Sequence, residues 1–498
     1  MNVNTLEIII GYMSDKKIIL SKRANNILSQ HMIFDFNLAN KHNVHISDKH
    51  MHYIINKYRG IKMDDCVYND FFSLSSSFIK TSLMHNHSNI LHNITYLVLN
   101  NDFNHSADNL PINLRYLTFG DKFNNRVHNL PKNLRHLTFG HDFNQSVDNL
   151  PSSLKYIKFG DCFNQHVDKL PNGITHLIFG MDFNKNVDSL PKSLISLTFQ
   201  NNFNRSVDNL PINLKYLTFG DRFNKLVNKL PPNIKVLNFG NDFNLPVDNL
   251  PNLHKLSFGC EFNKSVNALP NSLRQLEFGL CFNQSVNNLP NNLTHLSFGA
   301  YFNQPVDSLP NSLKYLMFSD NFNQKVDKLP ENLKYLILGY EFNQSVDCLP
   351  NGLKYLDLGY NFNQHIDHLP SNLEGLTLDG YFDKNIDSIP DNITMLSLSE
   401  CFNKPIRKLP SKLVHLYFGN SFNKRIRKFP KSLRYITFGY SYNKPTTNLP
   451  KGLISLIFGY EFNQNIILPN SIEYLTFGSK FNKPISPPLN IKKITYDT

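Results

Sequence analysis

The chain has 498 residues, a formal charge of +12 and 41% apolar residues, with no Trp and 40 Phe. No stretch reaches the roughly 18 apolar residues of a membrane span, and no basic start followed by a long apolar run marks a secretion signal. Six cysteines without CxxC spacing do not make a disulfide framework, so the chain reads as soluble, cytoplasmic and carrying reduced thiols.

In chain order, residues 1 to 88 are non-repetitive. "TLEIIIGYM" (5 to 13) and "KKIILSKRANNILSQHM" (16 to 32) read as helices, with Ser14-Asp15 between them as an N-cap. The weakly patterned remainder, including "FFSLSSSFI" (71 to 79), is expected to pack on whatever follows and shield its edge. "LHNITYLVL" (91 to 99) enters the repetitive region as a half coil. From Phe103 the phenylalanine of an "FN" pair then recurs every 20 residues to Phe243, loses one residue at Phe262, and resumes from Phe282 to Phe462. Tyr442 stands in once, and a second loss sets the last copy at Phe481. "PLNIKKITY" (488 to 496) leaves as another half coil.

The 20 copies read L-P-x-x-L-x-x-L-x-F-G-x-x-F-N-x-x-V-x-x. Repeats of this length with L-x-x-L-x-L cores fall in the range of leucine-rich solenoids. In "LKYIKF" (154 to 159) the alternation predicts a short half-buried strand with Leu154, Ile157 and Phe159 inward. Phe143, Val147 and Leu150 face inward on the return path, and Pro151 suits a corner. One coil cannot bury these side chains alone, so stability comes from neighbours. Gly ends the strand in 15 of 20 copies, which predicts a turn that tolerates some side chains. The Asn of "FN" is present in 19 copies, Asp383 being the exception. It predicts a ladder in which each amide bonds its own turn or the next coil. The predicted fold class is mainly β: a leucine-rich-repeat-like solenoid of about 20 coils with a small α-helical N-terminal domain. The segments are 1–50 (helical), 51–88 (helical or irregular connector and cap) and 89–498 (solenoid, without a break at either one-residue loss).

Catalysis needs a unique asymmetric constellation, and repetition argues against one. No HExxH, GxSxG or P-loop pattern occurs. His136, His176, His295 and His415 share an outward strand position held mainly by Tyr. The Asp after Val (Asp148, Asp168, Asp188 and equivalents) forms a column without the spacing of a calcium coil and reads as turn-capping. Neither an enzyme nor a cofactor or metal is expected.

Two surfaces stand out. The outward strand position holds Tyr or His in 13 of 20 copies, including Tyr116, Tyr156, Tyr216, Tyr315, Tyr335 and Tyr355. Such residues anchor interfaces or stack to stiffen a sheet. Residues 401 to 451 contain 12 Lys/Arg and no Asp or Glu, which accounts for the whole net charge. Lys404, Arg407, Lys408, Lys424, Arg425, Arg427, Lys428 and Arg434 are expected to form one basic patch. It suits an acidic protein surface, or nucleic acid bound weakly through phosphates, or else simply reflects repeat duplication.

The unit "FNQSVDNLPSSLKYIKFG" (143 to 160) resembles the FNIP repeat, a leucine-rich-repeat-like unit abundant in social amoebae and in giant viruses of amoebae. There the repeats often follow an F-box. "LEIIIGYMSDKKIILSKRANNIL" (6 to 28) resembles one, although it lacks the usual initial Leu-Pro and any Trp. The resemblance implies docking to the Skp-type adaptor of a cullin–RING ubiquitin ligase through Leu6, Ile9, Ile10, Met13, Ile18, Ile19 and Leu20. The solenoid would then present an unidentified protein substrate in the host-cell cytoplasm. The alternatives are that these apolar residues form only the core of a helical cap, and that the solenoid is a scaffold without a ligase.

Overall fold

The computed structural model describes residues 33–35, 60–63, 95–108 and 110–496. Each repeat is one coil with a three-residue strand, a turn, and an extended return path. Around the strand Tyr156–Lys158 the six expected inward side chains (Phe143, Val147, Leu150, Leu154, Ile157 and Phe159) are all buried. The strands pair in parallel one repeat apart, with Tyr156 opposite His176 and Ile157 opposite Leu177. The Pro corner closes as a β-turn in which Leu154 N–H donates to Pro151 C=O at 3.2 Å. Strand-end and return-path phenylalanines stack within a coil, Phe159 on Phe163 at 3.8 Å between ring centres. They stack again between coils, Phe159 on Phe179 at 5.6 Å. Such pairs add to the burial itself. Leu338, Leu358, Leu378 and Leu398 replace the strand-end ring in four successive coils and remain buried.

The Asn ladder runs from coil to coil. Asn323 Oδ1 accepts Asn343 N–H at 3.0 Å and Gln344 Nε2 at 3.1 Å, while Asn323 N–H donates to Asn303 Oδ1 at 3.0 Å. Of the two expected arrangements, the amide of the neighbouring coil is the one found. Asp383 keeps the pattern because its carboxylate also accepts, from Asn403 N–H at 3.3 Å.

As expected, the strand-end glycine does not answer a strict positive-φ requirement. Positive φ occurs at Gly359 (75°) and Gly380 (50°) among the described glycines. A Cβ on Gly299 would instead lie 2.0 Å from Gly279 O, so it is the close approach of successive coils that excludes a side chain. Exceptions carry a visible cost. Ser399 is buried and donates its hydroxyl to Phe382 C=O at 2.6 Å. Asn100 Oδ1 and Gln200 Oε1 are buried with no partner among the described residues.

The spacing predicts one unbroken unit from about residue 90; the structure has two compact units, 1–240 and 241–498. In the first, parallel strands run from Ile33–Asp35 through Gly60–Met63 and Tyr96–Leu99 to Val236–Asn238. Gly60–Met63 lies within the segment expected as a helical or irregular connector, and Ile33–Asp35 within the N-terminal segment expected to be helical. The edge of Tyr96–Leu99 presents unpaired N–H and C=O groups, and a parallel strand satisfies them. The two helices expected within 5 to 32 lie outside the described residues.

The second unit runs in parallel strands from Lys255–Ser257 to Lys493–Tyr496. Its first coil has lost a corner residue, and Leu253 N–H reaches Pro251 C=O at 2.7 Å in a three-residue turn. The second loss falls between Ile466 and Leu468, leaving both half-buried and Ile467 88% exposed. Ile494 pairs in register with Leu475, and Tyr496 stacks on Phe477 at 5.9 Å. No helix among the described residues is long and apolar enough to cross a membrane.

Replacing Asn323 with Ala strands two donors and should cost about 1–3 kcal/mol, towards the lower end because the site is only partly buried. Asn323→Asp should be nearly neutral. Urea unfolding of the two variants checks this; equal loss in both would show that acceptor geometry does not matter.

Candidate functional site

The outward strand column divides into runs. In the first unit Tyr116 stacks on His136 at 4.4 Å, and His136 on Tyr156 at 5.7 Å. Tyr216 lies between Ser196 and Val236 and takes no part in such a run. In the second unit His295, Tyr315, Tyr335 and Tyr355 stack in one series at 4.3, 4.4 and 4.8 Å. The series stops at Gly375, where a Cβ would lie 2.6 Å from the Tyr355 ring. Tyr355 leans into the space a side chain would fill.

Beside this series two residues escaped the sequence reading. Met317 and Ile337 occupy the third strand position, held elsewhere largely by Thr or Ser, and are 43% and 42% exposed. With Tyr315 and Tyr335, 39% and 36% exposed, they form an apolar patch on a polar surface. A shallow concavity of about 260 Å³ opens here, lined by His295, Tyr315, Met317, Tyr335 and Ile337. The signal was two adjacent departures from Thr/Ser, legible only once these positions were known to be outward.

Charges frame the patch. Lys255 pairs with Glu277 at 2.7 Å, and Ser257 donates to the same carboxylate at 2.8 Å. Burial pushes the Glu277 carboxyl up, but these two hydrogen bonds outweigh it and hold the group below its usual value. On the other side Lys354 pairs with Glu374. Asp357 is pushed up by burial, against the hydrogen bond it accepts from Gly359 N–H. His295, stacked on Tyr315, is held below the usual imidazole value by burial and then by Lys314.

Three of the eight basic residues expected to form one patch have partners within the fold. Lys404 pairs with Asp383 at 3.0 Å and Lys408 with Asp391 at 3.2 Å, both on the preceding coil. The Arg434 guanidinium donates to the carbonyls of Lys431 and Leu433. Arg407, Lys424, Arg425, Arg427 and Lys428 have no carboxylate within ion-pair distance among the described residues. The seven residues of the F-box-like segment (Leu6, Ile9, Ile10, Met13, Ile18, Ile19 and Leu20) lie outside the described residues.

Compared with known families, the FNIP Repeat model matches in overlapping stretches that tile residues 107–261 and 282–491. The chain belongs to the FNIP repeat family. This FNIP chain is similar to the giant-virus protein CroV588, described as a novel circular LRR protein, with 40% identity and a TM-score of 0.70. The match covers 82% of this chain and 74% of that one. A TLR13–ssRNA13 complex gives 17% identity and a TM-score of 0.51, over 74% of this chain and 65% of that one, a likeness of fold alone. YopM from Yersinia enterocolitica is 18% identical with a TM-score of 0.44, over 80% and 90%. No curated protein matches the sequence. The FNIP chain is thus a parallel solenoid of the leucine-rich-repeat type.

The lowered pKa of His295 has a consequence for stability. Above the unfolded value of about 6.5 the ring is neutral in both states and stability is full; as pH falls, the unfolded chain takes the proton first and stability is lost. His295→Tyr, the residue of the next coil, should abolish this part of the acid sensitivity. Unfolding midpoints compared between pH 8 and pH 5 test it, and an unchanged pH slope in the variant would refute it.

Proposed function

We propose that this FNIP-repeat protein is a protein-interaction scaffold that binds a partner on the strand face of its second unit and recruits it to a ubiquitin ligase through the F-box-like segment. The observation that supports partner binding is the exposed apolar patch of Tyr315, Met317, Tyr335 and Ile337. Its rings are held in place by the stacked series, so little side-chain entropy remains to be lost on binding. A rigid aromatic patch ringed by charge has the make-up of an interface core with a polar rim. The ligase reading rests on "LEIIIGYMSDKKIIL", with the Skp-type adaptor as the first partner, a protein substrate as the second, and the host cytoplasm as the place of action. Repetition argues against a unique asymmetric constellation, and on that ground the chain is proposed to bind rather than convert its partner.

One affinity experiment separates the parts. Tagged full-length protein, expressed in amoebae, is compared with Tyr315→Ala/Tyr335→Ala and with Ile10→Glu/Met13→Glu. The first variant should lose the substrate and keep the adaptor; the second should do the reverse. Adaptor recovery that is absent from the wild type, or unchanged in the second variant, leaves a scaffold without a ligase.

A second reading is favoured by the five cationic side chains at 407 and 424–428 that lack a carboxylate partner among the described residues. Stacked like charges repel, and an anionic partner relieves this. Arg407→Ala/Lys408→Ala/Arg427→Ala/Lys428→Ala should weaken binding of labelled single-stranded RNA and lower its salt slope by roughly one for each phosphate no longer neutralised. Equal affinity, or binding indifferent to salt, would leave repeat duplication as the origin of the patch.

A further inference from the structure

The turn after the strand-end glycine carries His141 and Asp142 in one coil and Cys162 in the next. His141 Nδ1 lies 2.6 Å from Asp142 Oδ1 and 3.6 Å from Cys162 Sγ, and the three ligand-type atoms fall within 4.8 Å of one another. Among the described residues this is the one group of three His, Cys, Asp or Glu side chains so placed. The backbone holds the two turns together, Cys162 N–H donating to His141 C=O at 2.9 Å, and Asp142 N–H ties the first turn to the coil before it through Asp121 C=O at 2.7 Å. The side chains are open to solvent, with His141 and Asp142 55% and 48% exposed, so an ion has access.

We propose that His141, Asp142 and Cys162 bind a thiophilic divalent cation of the zinc type, which clips two consecutive coils together. Imidazole, carboxylate and thiolate are the donors such an ion takes, with a water completing the tetrahedron. Bonds of about 2.0–2.3 Å place tetrahedral ligand atoms roughly 3.3–3.6 Å apart. The His141–Cys162 separation already fits. The His141–Asp142 contact is a hydrogen bond that must open by about 0.7 Å, within reach of exposed side chains. The surrounding charge is of the right sign. The hydrogen bond to Asp142, and then the charges of Asp142, Asp161 and Asp121, favour positive charge at His141, while burial and then Asp182, Asp142 and Asp161 disfavour a bare thiolate at Cys162. The nearest cation in the same column, Lys122, is paired with Asp102 on the coil before. Binding is an exchange: the Cys162 thiol gives up its proton as the S–metal bond forms, and His141 turns an unprotonated Nδ1 to the ion. Affinity should therefore rise with pH.

The test uses the chelator-treated full chain titrated with Co²⁺, whose thiolate charge-transfer and tetrahedral ligand-field absorptions report sulfur ligation, followed by Zn²⁺ competition. One equivalent should produce both absorptions, and Zn²⁺ should bleach them. Cys401→Ser, which changes a cysteine at the same place in a coil preceded by Gly380-Tyr381, should behave as wild type. Cys162→Ser should lose the charge-transfer band. His141→Asn introduces the residue present at 101, 201 and 241 and so keeps the fold; it should weaken binding at least as much as the roughly tenfold that loss of a supporting partner costs a metal site. No absorption in the wild type, a band that survives Cys162→Ser, or unchanged affinity in His141→Asn would each overturn the site.

Discussion

Each coil finds the partners for its buried polar groups on its neighbouring coils, the strand-end N–H donating forward, as from Phe318 to Ile337 C=O. Asn343 N–H has no acceptor within its own turn and takes Asn323 Oδ1; the strand that follows takes its hydrogen bonds from the strand that precedes. The hydrophobic side obeys the same rule, because Phe322 and Phe342 cover one another and a lone coil would leave both wet. Close approach is the condition for all of it. The strand-end glycine lets Gly299 come against Gly279, and where Gln200 stands instead its side-chain amide oxygen is buried without a partner among the described residues.

That arrangement leaves the outward strand positions free of structural duty, and it is there that the coils differ. His295 to Tyr355 form a stacked aromatic series, Gly375 ends it, and Met317 with Ile337 make its flank apolar. The same freedom at the corner replaces an Asp column by Arg407 and Arg427. Function in such a molecule resides in departures from the repeat, since the repeat itself is occupied with packing.

The inward strand residues were legible because period-2 alternation leaves no choice of face for Ile157 and Phe159. The number of coils followed from the spacing of the FN pair. The direction of the Asn bond was not legible: the same residues serve an own-turn and a next-coil arrangement, and only coil separation decides. The reason for the glycine was hidden likewise, since a close approach and a left-handed turn select the same residue. The strand at Gly60–Met63 carries little alternation, and pairing with Tyr96–Leu99 rather than its own pattern defines it. Cys162 lies a coil away from the adjacent His141 and Asp142 and meets them only through the register of successive turns. The division near residue 240 had no sequence signal beyond the corner residue missing at 251 to 253.

Because every Asn side chain accepts from the coil that follows, the ladder has a direction, and any coil can follow any other. Asn283 would serve the N–H of a coil copied from elsewhere in the array as well as it serves Asn303. Whole units of 20 can therefore be duplicated or excised by recombination without leaving an unmatched donor inside, whereas slippage by a single residue must be absorbed at a corner, as at Pro251 and Ile467. Copy number in a gene of this kind is thereby free to drift between lineages, and outward surface can be gained or discarded one strip at a time while the interior stays the same.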